Sequence, residues 1–419
     1  MRILLSAIYP YAFLLLYLII PFDNYIRALP NILLAILVVA FPFIVKKEDF
    51  KKLKSLPIAI FFGLFAYLCL NSFFAGRLPE DFNIIKKVMI AVGLAILYIP
   101  VADVNPPNGR AGKINTAIIF SALAAIVFSI YNFVLITDAT GSFALGESPQ
   151  VVESLLIDRL YLGLLSTFSL LISFQAISKK YHPNNNYHLA NIFINALFII
   201  LIASKIAIIS LFVILLISQF YGQRKLWKAI IAVFAVVAVA GLFILLKNEK
   251  GNQLYQAESS DNRTAPAFIE NSMTYELRAV VWKCASEIIN DEGFSFIGFG
   301  FEQTSDKLVS FYETKITDPQ KRNEFVTAEY NTHNQFLDFY LSAGFIALLL
   351  FLLFICVAFL KIRKQFFATA MLAILIMYCS VENVFHRQIG AYYIGFILIV
   401  LMTSVQNSKG PENTQIKKE

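Results

Sequence analysis

The chain has 419 residues, of which 58% are apolar and only 15% are charged, and its formal net charge is +7. Soluble domains run to roughly 45–50% apolar and about 25% charged residues, so the composition excludes an ordinary soluble domain. The apolar runs are continuous rather than alternating, which argues against a membrane β-barrel. The positive charge does not indicate nucleic-acid binding, because the basic residues cluster in short loops between apolar runs.

Apolar runs near the ~20-residue length that crosses a bilayer recur along the whole chain. They predict an all-α polytopic membrane protein of about twelve transmembrane helices, with the first helix retained rather than cleaved. The predicted spans are 3–21, 31–45, 56–75, 86–102, 114–136, 160–178, 189–203, 206–220, 229–246, 336–360, 366–381 and 388–404. The seventh and eighth divide one stretch, 189–220, which is too long for a single span and which Ser204-Lys205 interrupts.

Charge then orients the spans. With a cytoplasmic N-terminus, the predicted inner loops hold the basic clusters at 46–54, 110–113, 179–180, 224–228 and 361–364, and the tail 405–419 is also inside. The outer loop 137–159 is acidic. Lys86-Lys87 is the exception, and either it snorkels from a helix end or the fourth span begins elsewhere.

A polar segment at 247–335 separates spans 1–246 from spans 336–404 and is too long for a mere connector. We expect it to form a large extracytoplasmic loop that contains an amphipathic helix. The helical spacing is carried by Met273, Leu277, Val280, Val281, Cys284 and Ile288. Ser272 or Thr274 would cap the start of this helix, and Gly293 would follow its end.

His333 is the first candidate for chemistry. It lies where the polar loop meets the tenth span, and on a helix that starts near Asn331 it shares a face with Gly344, which lets a neighbouring helix approach. A neutral histidine is a suitable base for a sugar hydroxyl. The alternative is an interfacial histidine that only bridges water and lipid.

Cations supply the other candidates. Arg278 lies in the amphipathic helix, and its planar guanidinium group matches the oxygens of a phosphate. The alternative is a surface charge beside Glu276. Lys205 is a phosphate ligand or a topology anchor, and Arg159 is a ligand or the partner of Asp158. The group Glu382, His386 and Arg387 in a short outer turn is functional only if it faces a cavity, whereas His182 and His188 are loop residues.

The sequence has no spacing typical of a metal site and no glycine-rich nucleotide loop. We therefore expect no cofactor, and an enzyme here would act on a substrate that is already activated.

The motif residues resemble those of the bacterial O-antigen ligases and the related lipid-linked polysaccharide polymerases. One motif of the family is His-Asn, followed after nine residues by Gly. His333-Asn334 and Gly344 are similar to this motif, although Ala347, three positions after Gly344, departs from the family. Its Arg-x-x-x-Trp followed by Gly-x-Gly is similar to Arg278, Trp282 and Gly298-Phe299-Gly300. Ser204-Lys205 stands where the family often has Ser-Arg. Together with the span layout, the resemblance covers most of the chain.

The resemblance implies transfer of a glycan from undecaprenyl diphosphate to an acceptor hydroxyl on the periplasmic side of the inner membrane. Arg278 would bind the diphosphate, and His333 would activate the hydroxyl. Lys205, Arg159, Asn334 and Trp282 would contribute to substrate binding.

Three functions stay open. The first is a ligase that joins O-antigen to lipid A-core, and the close His-Asn…Gly match favours it. The second is a polymerase that joins one lipid-linked repeat to another. The third is a transporter of the same lipid-linked sugar without bond chemistry, for which an internal repeat and deep ionisable residues are expected.

Overall fold

The computed structural model describes residues 2–102, 112–140, 154–177, 182–221 and 277–407. These parts of the chain form fourteen α-helices and no strand. The helices are α1 (Arg2–Ile19), α2 (Ala28–Ile44), α3 (Leu56–Phe74), α4 (Leu78–Tyr98), α5 (Lys113–Thr140), α6 (Arg159–Ala176), α7 (Asn184–Leu201), α8 (Lys205–Tyr221), α9 (Leu277–Glu292), α10 (Phe301–Lys315), α11 (Pro319–Ala328), α12 (Gln335–Ile362), α13 (Phe366–Cys379) and α14 (Gln388–Asn407).

The predicted class of helical membrane protein is confirmed. By length and composition, six described helices are able to cross a membrane, namely α1, α3, α5, α6, α12 and α14, and α2, α8 and α13 are shorter apolar helices. Each predicted span except the ninth corresponds to a helix. The ninth, 229–246, lies outside the described residues, as does the tail 408–419, so the number twelve stays a prediction.

Hydrogen bonds between loops define the two ends of the helix bundle. At one end, Asn24 Nδ2 donates to Leu156 O at 3.3 Å and Arg77 Nη1 donates to Gly298 O at 2.9 Å. We call this the site end. It gathers the connections that precede or follow α1, α3, α6 and α9.

The opposite end is basic. Lys52 Nζ donates to Ile99 O at 2.9 Å, and Gln365 Nε2 donates to Ser404 O at 2.9 Å. The Tyr221 hydroxyl donates to Arg363 O, which brings the end of α8 to the same place. The predicted basic loops 46–54 and 361–364 therefore share one end, as a cytoplasmic face requires.

The core of the bundle is built around α14, which is buried over most of its length. Gly395 of α14 allows close contact with Leu94 of α4, since a Cβ at Gly395 would lie 2.6 Å from Leu94 Cδ1. Phe61 of α3 packs edge-on against Phe354 of α12, with ring centroids 5.0 Å apart. Because these contacts are apolar and tight, the site end rests on a fixed scaffold.

The fourth helix begins earlier in the sequence than the predicted span 86–102. Helix α4 begins at Leu78, with a proline and the acids Glu80 and Asp81 in its first turn, all of which favour a helix start. Lys87 consequently lies well inside α4, where its Nζ donates to His386 O at 2.6 Å. The apolar pattern missed this start because the first turns of α4 are polar.

The division of 189–220 is confirmed. Helix α7 ends at Leu201 and α8 begins at Lys205, and Ala203 between them has a φ of 48°. The amphipathic helix is confirmed as α9, with Val281, Cys284 and Ile288 buried and with the N–H of Gly293 bonded to Ile289 O at 3.0 Å. The predicted caps Ser272 and Thr274, and Met273, lie outside the described residues.

Candidate active site at the site end of the bundle

Helices α9, α10 and α11 pack around an apolar cluster of their own, which includes Leu308, Tyr312 and Phe325. This cluster also holds the segment that precedes α12, because the Tyr312 hydroxyl donates to Tyr330 O at 2.8 Å. Trp282 Nε1 of α9 donates to Thr332 O at 3.0 Å. The polar segment thus folds back onto the start of α12.

His333 lies before α12 rather than in its first turn. Helix α12 begins at Gln335, and the Asn334 side chain caps it by accepting from Phe336 N at 3.0 Å and from Leu337 N at 3.2 Å. His333 has a φ of 42°, which non-glycine residues adopt rarely, and Asn331 Oδ1 accepts its N–H at 3.0 Å. The prediction of a helix from Asn331 was wrong because Asn334 is the stronger cap.

The imidazole of His333 is bonded on one side only. Its Nδ1 lies 3.2 Å from Glu382 Oε2, and the two side chains are 19% and 11% exposed. Its Nε2 is shielded from solvent and has no hydrogen-bond partner among the described residues. When Nδ1–H donates to the carboxylate, the neutral ring keeps its lone pair on Nε2, the atom that a general base uses.

The turn between α13 and α14 fixes this arrangement. Asn383 Oδ1 accepts from Thr332 Oγ1 at 2.9 Å and from Asn334 N at 2.6 Å. His386 Nε2 lies 3.1 Å from Asp338 Oδ2. We call residues 380–387 the dyad turn, because Glu382 and His386 of this turn each pair with a residue in or beside α12.

Arg278 reaches the same turn. Its Nε donates to Val381 O at 2.9 Å, so Arg278 and His333 are bonded to the consecutive residues Val381 and Glu382. Val381 O orients the guanidinium through Nε, and its terminal nitrogens are the part that matches phosphate oxygens. The predicted neighbour Glu276 lies outside the described residues.

Lys205 and Arg159 also lie at the site end, at the first residues of α8 and α6. These two helices are in close contact there, since a Cβ at Gly163 would lie 2.5 Å from Ser204 Oγ. No described contact joins either cation to His333, so their role in substrate binding stays a prediction. Asp158 caps α6 and pairs with Arg387 at 3.5 Å, an exposed pair of small energetic value.

A cavity of about 210 Å³ adjoins this exposed pair. Its lining mixes polar and apolar surface and consists of Asp23, Asn24, Ile157, Asp158, Tyr161, Arg387, Gln388 and Ile389. Burial raises the pKa of Asp23, and Arg27 offsets part of this rise. Carboxylates and amides of this kind can bond to hydroxyl groups.

The motif glycines meet at a break in α12. Gly344 has φ 81° and ψ −178°, which are not helical values. Phe299 N donates to Leu341 O at 2.8 Å, and Gly300 N donates to Ser342 O at 2.8 Å. A Cβ at Gly344 would lie only 2.1 Å from Phe296 O. Gly344 therefore permits a close approach, as predicted, but its neighbour is the Gly-x-Gly turn rather than a helix.

The model of the O-antigen ligase family matches residues 190–352 of the chain. This part of the chain is therefore similar to the O-antigen ligase family. The match confirms the resemblance seen in the motifs, since it spans Arg278, Trp282, Gly298-Phe299-Gly300, His333 and Gly344. No curated protein matches the chain.

Several residues outside the matched range bond to residues within it. Glu382 and Asn383 hold the segment around His333. Arg77 Nη1 donates to Gly298 O at 2.9 Å, and Asp81 Oδ1 accepts from Phe301 N at 2.6 Å. Arg77 and Asp81 were not identified in the sequence analysis. The signal that could have found them is an arginine and an aspartate in the short polar stretch between two apolar segments.

Proposed function

We propose that this membrane protein is a glycosyltransferase that moves a glycan from undecaprenyl diphosphate to an acceptor hydroxyl. The observation that carries the proposal is the attachment of Arg278 and His333 to consecutive residues of the dyad turn. One residue offers a fork for phosphate oxygens and the other offers a free ring nitrogen for a hydroxyl proton. The chemistry needs both groups near one anomeric carbon.

In this reaction the acceptor oxygen attacks the anomeric carbon of the donor. The bond from that carbon to the diphosphate oxygen breaks, and its electron pair leaves with the polyprenyl diphosphate. Arg278 stabilises the charge that develops on the diphosphate. The hydroxyl proton passes to Nε2 of His333, while Glu382 holds Nδ1–H and orients the ring. Diphosphate is a good leaving group, so the step proposed here uses neither a metal ion nor a nucleotide.

We infer that the acceptor is lipid A-core, which makes the protein an O-antigen ligase of the bacterial inner membrane with its site end in the periplasm. The family match supports this class of reaction. The basic end of the bundle supports the orientation, since basic residues favour the cytoplasmic side. The second candidate is a polymerase with the same site, in which the acceptor is another lipid-linked glycan.

Deletion of the gene tests the acceptor. Loss of a ligase leaves bare lipid A-core, with long glycan retained on the lipid carrier. Loss of a polymerase leaves core that bears a single repeat. Lipopolysaccharide electrophoresis together with analysis of the lipid-linked pool separates the two outcomes. An unchanged ladder with an unchanged pool contradicts both functions.

Variants of the two central residues test the chemistry. We expect His333→Ala to lower the transfer rate by about 10²–10⁴-fold, the range that a positioned general base contributes. Arg278→Ala should abolish measurable transfer, and Arg278→Lys should restore it only weakly because lysine lacks the planar guanidinium group. Suitable controls are His182→Ala and Lys283→Ala, since both side chains are exposed and Lys283 lies on α9. Full activity of the His333 and Arg278 variants at normal protein level rejects the site.

A further inference from the structure

The turn between α9 and α10 presents apolar side chains outward. Phe294, Phe296 and Ile297 are 59%, 60% and 55% exposed, although they lie in a short irregular segment. The exposed Phe73 and Phe74 end the neighbouring helix α3. An exposed apolar patch of this kind marks a contact surface, since water is a poor solvent for it. We call residues 294–300 the glycine turn.

The contacts with α3 measure how deeply the glycine turn lies. The Tyr67 hydroxyl donates to Phe296 O at 3.1 Å. Tyr67 precedes the last residue of α3, Phe74, by seven residues, which is about 10 Å at the rise of an α-helix. Helix α3 has 19 residues and is long and apolar enough to cross a membrane. Phe296 therefore lies alongside α3, on the side of its last residue that faces the basic end, and not beyond that last residue.

Helix α12 gives an independent measure. Twenty residues, about 30 Å of helix, fill the hydrocarbon core of a bilayer. Counted from Lys361 at the basic end, such a length reaches Leu341. The glycine turn contacts α12 three residues closer to the basic end, at Gly344. The ring of Phe294 packs at a tilt against that of Phe345, with centroids 5.2 Å apart. By this measure the glycine turn lies about 5 Å inside the hydrocarbon core of the bilayer.

Most carbonyl groups of the glycine turn are paired within the protein. Irregular backbone enters the hydrocarbon region only where the protein satisfies its polar groups. Phe345 N donates to Ser295 O at 3.0 Å, Asn71 Nδ2 donates to Ile297 O at 2.8 Å and Ser295 Oγ accepts from Gly298 N at 2.9 Å. With the bonds of Tyr67, Arg77 and Asp81, the carbonyls of 295–298 and the N–H groups of 298–301 are all paired.

We propose that the glycine turn is a re-entrant segment that dips about 5–10 Å into the leaflet at the site end, with Phe294, Phe296 and Ile297 in contact with the acyl chains of bilayer lipids. These side chains are more than half exposed, so the described residues do not enclose them as a pocket would. They also continue the lipid-facing surface of α3, a membrane span. Bulk lipid, rather than one bound molecule, therefore covers them.

Position-specific fluorescence tests this proposal on the full chain in phospholipid vesicles. Phe296→Trp is measured with ordinary and with brominated acyl chains, and the parent protein is subtracted to remove its two tryptophans. We expect bromine to quench the new tryptophan as strongly as that of Leu349→Trp, which lies exposed on the span α12. Aqueous iodide should quench it weakly. Ile297→Trp repeats the test should Phe296→Trp fold poorly.

The matched control is Asn323→Trp, on an exposed position of the polar helix α11. Iodide should quench this tryptophan, and bromolipid should not. The proposal is overturned when Phe296→Trp and Ile297→Trp both behave like Asn323→Trp. It is also overturned when added undecaprenyl diphosphate relieves the bromine quenching, because the patch would then be a groove for the tail of the donor. Neither outcome depends on transferase activity.

Discussion

Two turns close the site end of the bundle against α12, and they are built in opposite ways. The dyad turn is held by side chains, through the pairs Glu382–His333 and Asp338–His386. The glycine turn is held mainly by its backbone, which bonds to α12, to side chains of α3 and to Arg77 between α3 and α4. The dyad turn determines which atoms face a substrate, whereas the glycine turn determines where the polar segment sits.

The difference also appears in what each turn leaves unpaired. The dyad turn leaves the shielded Nε2 of His333 without a partner among the described residues. A buried polar atom without a hydrogen bond costs free energy, and Nε2 is the atom that accepts the hydroxyl proton in the proposed reaction. In the glycine turn, the carbonyls of 295–298 and the N–H groups of 298–301 are paired. We therefore expect changes in the dyad turn to alter activity, and changes around the glycine turn to alter stability.

The largest effect is expected at Glu382. Glu382→Gln removes the carboxylate that orients His333, so kcat should fall within the ~10²–10⁴-fold range of general-base catalysis while KM for the lipid-linked donor changes little. Steady-state kinetics of the purified protein in lipid measure this split. Glu302→Gln, at an exposed position of α10, is the control. A raised KM with unchanged kcat would show that Glu382 binds substrate instead.

A smaller effect, on stability, is expected at Gly344. Gly344→Ala places a Cβ against Phe296 O in a backbone conformation that favours glycine, so it should destabilise the fold by about 1–3 kcal/mol. The melting temperature of the protein in lipid nanodiscs measures this loss. Gly63→Ala in α3 is the matched control, since its Cβ would meet nothing within 4 Å. Equal melting temperatures for the two variants would contradict the docked glycine turn.

The smallest effect is expected at Tyr67. Tyr67→Phe removes the hydroxyl that donates to Phe296 O and to Ala343 O, which should cost about 1 kcal/mol of stability. Transfer per folded molecule should stay near the parent value, because Tyr67 does not contact the dyad turn in any described bond. Melting temperature and transfer rate are compared with those of Tyr131→Phe, an exposed tyrosine in α5. A large fall in transfer at unchanged stability would contradict the division of roles between the two turns.

Particular residues show how far the sequence could predict this site. Arg278, Trp282, His333 and Gly344 were identifiable as a motif, because their spacing is local. Glu382 was recognised only as one member of a polar group, since its pairing with His333 joins residues 49 positions apart. Arg77 and Asp81 were not predicted at all. Each contacts residues some 220 positions away, and such a separation leaves no mark on local periodicity.

The sequence by itself determined the membrane class, the helix α9, the division between α7 and α8 and the resemblance to the O-antigen ligase family. Those conclusions depend on composition, on helical periodicity and on a motif, all of which are properties of neighbouring residues. Only the tertiary structure decided that His333 precedes its helix, that Glu382 orients it and that Gly344 breaks α12 to receive a turn. These features arise where separate segments compete for the same backbone and side-chain hydrogen bonds, and that competition is settled only when the helices pack together.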